Sequence, residues 1–113
     1  MPDILAHRLL PKHFSLIRAV ADYGQLSLAA QSLAMTQPAA SRMLADIERQ
    51  IGAPVFVRTP KGMEPTAIGC ALARRAQNLL EEIREAAREV EAIRRGMTGT
   101  VRVGAVTGGA VGF

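Results

Sequence analysis

Cysteine is nearly absent. Cys70 is the single thiol among 113 residues, which excludes a disulfide framework within the chain and any multi-cysteine zinc site. It reads as a small apolar packing residue, since nothing beside it marks a thiolate. The two histidines, His7 and His13, stand far from other ligand types, so no metal and no cofactor is expected. Tryptophan is missing and aromatics make up 4%, too few for a platform that stacks single-stranded bases. No apolar run approaches the roughly 18 residues of a membrane span. Met1 to Lys12 has no apolar signal core, being interrupted by Asp3 and Arg8, so a cytoplasmic location is expected. There is no Ser-His-Asp set, no metal-ligand spacing and no phosphate-binding glycine loop, and the chain is not expected to be an enzyme.

What is present is apolar and mildly basic. Hydrophobic residues at 49% and a mean hydropathy of +0.13 suffice for one domain with its own core. Lys+Arg 14 against Asp+Glu 10 gives a net charge of +4 and permits a polyanionic partner without requiring one. Lys12 and Lys61 are the only lysines; the other cations are arginines, whose planar donor fork suits phosphate or guanine.

The pattern is mainly helical. Pro11 opens a first helix with Phe14, Ile17, Val20 and Ala21 on one face, and Gly24 stops it. Ser27 is a natural N-cap for a short second helix with Leu28, Ala29, Ala30 and Leu33 as its apolar set. After Met35, Thr36 caps a third helix. Gln37 and Pro38 occupy its first turn, and Ala40, Met43, Leu44, Ile47 and Ile51 form its buried stripe. Gly52 and Pro54 end it. Val55–Arg58 reads as a strand, Thr59-Pro60-Lys61-Gly62 as a type I turn, and Met63-Glu64 as the return. Thr66 caps a helix expected to run to about Arg95, some 45 Å at ~1.5 Å per residue. Gly96-Met97-Thr98-Gly99 is expected to break it. Leu72, Ala76, Leu79, Ile83, Ala86, Val90 and Ile93 recur as a heptad seam, with Glu81/Arg84, Glu85/Arg88 and Glu91/Arg95 as same-face ion pairs. The seam suits intramolecular packing or a second copy, and its length favours dimerisation. Thr100–Val106 has strand character with no partner strand, so 100–113 reads as the start of a further domain.

Leu26 to Ala45 carries the functional signal: a short helix, a tight turn and a second helix. Ala30 and Ala40 permit close approach of the two axes, which is helix-turn-helix patterning with Ala34 in place of the usual turn glycine. Gln37, Pro38, Ala39, Ser41 and Arg42 fall on the outward side of the second helix. Gln can bond an adenine edge, Arg can bond guanine, Pro and Ala can touch a thymine methyl, and Ser can donate to phosphate or base. The helix start at Thr36 and the neighbouring Ser27 can present N–H groups to phosphate, and Arg58, Thr59 and Lys61 of the hairpin can reach the flanking backbone or minor groove. Each of these also reads as an ordinary solvent-facing residue, and patterning alone leaves both readings open.

The run Leu26-Ser27-Leu28-Ala29-Ala30-Gln31-Ser32-Leu33, followed by Thr36-Gln37-Pro38-Ala39-Ala40-Ser41-Arg42, resembles the LysR-type family of bacterial transcriptional regulators. The resemblance continues through Leu44–Gly52, Val55–Thr59, Lys61–Thr66 and Gly69. The wing and the Val103–Gly112 segment look like the subgroup of sugar-binding-protein and aromatic-acid pathway regulators. The resemblance implies a winged helix-turn-helix over 1–65, with its motif at 26–45 and wing at 55–65. It implies a linker helix over 66–95 that dimerises antiparallel, and a hinge with the start of an effector-binding domain over 96–113. Thr107 matches a position near the family's effector cleft. The implied partners are double-stranded DNA with an inverted-repeat operator, a second copy through the linker helix, and a tetramer and small-molecule effector for the full-length protein only. The implied setting is the bacterial nucleoid. The alternative is a protein-interaction module that recruits a different chain through the long helix.

Overall fold

The computed structural model describes residues 9–99. The elements run α1 (Pro11–Tyr23), α2 (Leu26–Ser32), α3 (Gln37–Ile51), β1 (Phe56–Thr59), β2 (Gly62–Pro65) and α4 (Ala67–Gly99). The chain divides into two units, Met1–Leu80 and Glu81–Phe113. No helix among the described residues is long and apolar enough to cross a membrane. Expectations placed on Thr100–Val106, Thr107 and the rest of 100–113 lie outside the described residues.

In the first unit, α1–α3 enclose a core of Leu16, Ile17 and Val20, then Leu26, Ala29 and Ala30, then Ala40, Leu44 and Ile47. Val55, Phe56 and Leu72 close it. Ala29, Ala30 and Ala40 are almost fully buried; methyl side chains at these positions let the backbones approach closely. Thr36 caps α3 as expected, its Oγ1 accepting the Ala39 N–H at 3.2 Å.

The short helix departs from the sequence reading. It starts at Leu26 with Gln25, not Ser27, as its N-cap. Leu26 is buried, and Leu28 is 42% exposed. Burial of Leu26 sets the helix phase, and that outweighs the capping preference of Ser27. The turn after it is as unusual as the sequence suggests. Met35 N–H bonds the Ala30 carbonyl at 2.8 Å and Ala34 N–H bonds Gln31 at 3.1 Å, the paired closure of a Schellman motif. Ala34 takes its left-handed position with φ 57°.

His13 is buried and belongs to the α1 start, a role the sequence reading did not find. Its Nδ1 accepts the Leu10 N–H at 2.8 Å, while its own N–H bonds the Leu10 carbonyl at 2.9 Å. The N3 side chain reaching back to the N-cap N–H is one half of a capping box, with His in the place of Glu; Leu10 has no side-chain acceptor for the other half.

β1 and β2 pair antiparallel, from Phe56 opposite Pro65 to Thr59 opposite Gly62. Val55, read as a strand residue, is fully buried just before β1. Gly62 has φ 127°, and a Cβ there would overlap the Gly24 carbonyl oxygen. A Cβ on Gly69 would likewise overlap the Val55 carbonyl oxygen. Thr66 joins hairpin to α4: its Oγ1 lies 2.8 Å from the Pro54 carbonyl and accepts the Gly69 N–H at 3.1 Å.

α4 continues through Gly96 to Gly99, past the expected break near Arg95. A helix-interior glycine costs only about 1 kcal/mol relative to Ala, which does not by itself stop a helix. The seam also divides. Leu72 joins the core and Ala76 is fully buried, so these two are committed within their own chain. Leu79, Ile83, Val90 and Ile93 are 38%, 42%, 60% and 55% exposed, and Ala86 is exposed as well. Cys70 is exposed rather than packed, because Gly69, Leu72 and Ala76 take the inward face. Within the second unit the expected ion pairs form, with Arg84–Glu81 at 3.0 Å, Arg88–Glu85 at 2.8 Å and Arg95–Glu91 at 3.4 Å. The Arg84 guanidinium, by hydrogen bond and then by charge, holds the Glu81 carboxyl below its ordinary range.

Candidate nucleic-acid interface

The site starts from the phase of α3. Ala40, Leu44 and Ile47 are buried, so the side opposite must face out. Gln37, Pro38, Ser41 and Arg42 are exposed there, and Ala39 is half-buried. Ser41 stands one turn beyond Gln37, and Arg42 one turn beyond Pro38, so the four form two adjacent rows.

The first turn of α3 has little backbone to offer. Thr36 Oγ1 takes the Ala39 N–H, the Ala40 N–H bonds the Thr36 carbonyl at 3.0 Å, and Pro38 has none. Among the described residues this leaves the Gln37 N–H of that turn for an outside acceptor. What this end of α3 offers to an outside partner is therefore mostly side chains, with Gln37, Ser41 and Arg42 the exposed polar ones.

The wing stands beside this face. Gln25, Ser27, Gln37, Arg58, Thr59 and Lys61 line one open groove of about 330 Å³. The structure thus brings together Ser27, Gln37, Arg58, Thr59 and Lys61 from three separate stretches of sequence. Thr36, Pro38, Ala39, Ser41 and Arg42 lie outside that groove, on α3 itself. Ser27 is exposed in the first turn of α2 rather than capping it. The Thr59 hydroxyl is engaged in its own turn, donating to the Gly62 carbonyl at 3.2 Å and accepting the Lys61 N–H at 3.2 Å. Gln25 is the polar side chain of the groove that sequence reasoning missed. Its only sequence signal is a polar residue between the Gly24 stop and the buried Leu26.

Electrostatics favour an anion. No Asp or Glu lines the groove. Arg18, Arg49, Arg84, Arg88, Arg94 and Arg95 sit in ion pairs with carboxylates. Arg42, Arg58 and Lys61 are exposed and lie outside those pairs, as do Arg74 and Arg75 on α4. The wing is held in place by Glu48, whose Oε2 accepts the N–H groups of Val55 at 2.8 Å and Phe56 at 3.2 Å, and by the Met63 N–H on the Gly24 carbonyl at 2.8 Å.

A helix-turn-helix with a hairpin wing and a long following helix defines the class: a winged helix-turn-helix protein. Residues 11–70 match the family described as "Bacterial regulatory helix-turn-helix protein, lysR family", and the chain belongs to that family. It is 43% identical over 101 residues to the HTH-type transcriptional regulator GbpR of Rhizobium radiobacter, covering 88% of this chain and 33% of that protein. GbpR of Azospirillum brasilense is 37% identical over 107 residues, covering 95% and 31%. The chain therefore spans about a third of the length of these curated relatives. Among solved structures, the CbnR_DBD–DNA complex is similar with a TM-score of 0.69 at 27% identity, covering 76% of this chain and 99% of that one.

Proposed function

We propose that this chain is the operator-reading part of a LysR-type transcriptional regulator that binds double-stranded DNA. α3 enters the major groove. Gln37, Pro38, Ala39, Ser41 and Arg42 meet base edges, while Ser27, Thr36, Arg58, Thr59 and Lys61 meet the backbone. The observation that carries this reading is the carboxylate-free groove joining the exposed start of α3 to two wing cations. A solved DNA complex of similar fold supports it.

Two copies dimerise through Leu79, Ile83, Ala86, Val90 and Ile93, whose exposed apolar side chains favour burial against a partner helix. The domain limits of the reading are 1–65 for the DNA-binding part and 66–95 for the linker. The rest of the reading concerns the whole protein: an effector-binding domain with Thr107 near its cleft, a tetramer at inverted-repeat sites, a small-molecule effector, and action in the bacterial cytoplasm.

Binding titrations against an operator and against unrelated DNA test the residue roles. Arg42→Ala is expected to cost about 1–3 kcal/mol on the operator and to relax base preference at one position. Lys61→Ala is expected to weaken all duplexes alike and lower the salt slope by about 0.9. Arg42→Ala binding its operator as wild type does would remove that residue from the reading.

A further inference from the structure

We propose that Gln25 is an additional DNA-backbone contact, its side-chain amide donating to a phosphate oxygen held between the wing and the helix-turn-helix beside Arg58 and Lys61. This rests on the DNA reading above and adds a residue that neither the motif nor the family match assigns.

Gln25 occupies the N-cap position of α2, yet its side chain makes no capping hydrogen bond. Short side chains such as Ser, Asp or Asn fold back onto the first turn from that position; glutamine is one methylene longer and reaches outward. It is exposed and lines the groove. Its Cγ stands 3.9 Å from where a Cβ on Gly62 would lie, so it runs along the wing turn. The Met63 N–H on the Gly24 carbonyl ties that turn to the residue just before Gln25. The side chain thus leaves the backbone at the seam between two elements rather than on a free loop. The same groove holds two cations and no carboxylate, and a neutral amide contributes two further donors there. Phosphate oxygens accept half or more of protein–DNA hydrogen bonds, glutamine being among the usual donors. Backbone rather than base is the fitting target, because Gln25 shares the groove with the wing cations Arg58 and Lys61, and of the base-edge set on α3 only Gln37 reaches it.

The test is fluorescence anisotropy of the 113-residue chain on a labelled mixed-sequence duplex across a salt series. Gln25→Glu sets a carboxylate against phosphate and is expected to weaken binding roughly tenfold. Gln25→Lys is expected to tighten binding and steepen the salt slope by about 0.9, as one added phosphate contact does. Gln77→Lys, an exposed α4 position outside the groove, supplies the same charge and is expected to leave the slope unchanged. A Gln25→Lys slope equal to that of Gln77→Lys, or Gln25→Glu binding like wild type, overturns the Gln25 contact alone. Wild-type protein that does not bind any duplex overturns the DNA reading together with it.

Discussion

Ala34 holds the turn of the helix-turn-helix in a conformation that an L-residue adopts reluctantly. At φ 57° its Cβ crowds the following carbonyl, at a cost of roughly 1–2 kcal/mol. Glycine relieves that strain but adds about 0.4–1 kcal/mol of unfolded-state freedom. Ala34→Gly is therefore expected to stabilise the fold by roughly 0.5–1 kcal/mol, read as a raised urea midpoint at unchanged slope. The substitution for glycine was visible in the sequence; the strain became visible only with the backbone angle. His13 is the reverse case. Its spacing suggested nothing, because its partner is the backbone of Leu10. Burial first, then the Lys12 charge, lower its pKa below the ordinary 6.5, with Asp46 opposing. The folded state thus favours neutral imidazole, whose Nδ1 can accept. That contribution is present above about pH 6.5 and is lost as pH falls below it toward the lowered folded value. Thermal melts from pH 7 to 5 are expected to show a loss of stability that His13→Ala does not share; identical pH profiles would contradict it.

At the scale of elements, α3 and the wing matter together, because the groove exists only while the hairpin keeps its place. Glu48 is the link: one carboxylate oxygen satisfies two partly buried N–H groups at the entry to β1. Glu48→Ala leaves both donors unpaired and is expected to cost about 1–3 kcal/mol in urea unfolding; a loss below ~0.3 kcal/mol would show that water replaces the carboxylate. The limits of α3 were legible, since Thr36, Pro38 and the glycine after Ile51 are strong local signals and the apolar stripe agrees with them. α2 was misplaced at its start because the cap preference of Ser27 pointed one way and the burial of Leu26 the other. α4 was ended too early because glycine was read as a stop, where it is only a modest penalty. No pattern within one element marked Glu48, whose partners lie seven and eight residues away.

At the scale of the molecule, the seam of α4 falls into a buried part and an exposed part that its periodicity merged. Leu72 lies in the core of the first unit and Ala76 is buried there, while Leu79 onward presents apolar side chains in the open. A heptad repeat records that a face is apolar, and the burial of each residue decides what covers it. The residues proposed to face DNA divide in a similar way. The outward rows of α3 could be read from helical phase alone, whereas the groove needed three distant segments to meet, and Gln25 entered only then.

The most direct test is selection of bound duplexes from a random-sequence pool by the purified chain. A pair of recognition helices joined through the exposed seam should enrich an inverted repeat, with both half-sites altered in base preference by Arg42→Ala. Enrichment of a lone half-site would contradict the dimer, and no enrichment over bulk DNA would contradict sequence reading by α3.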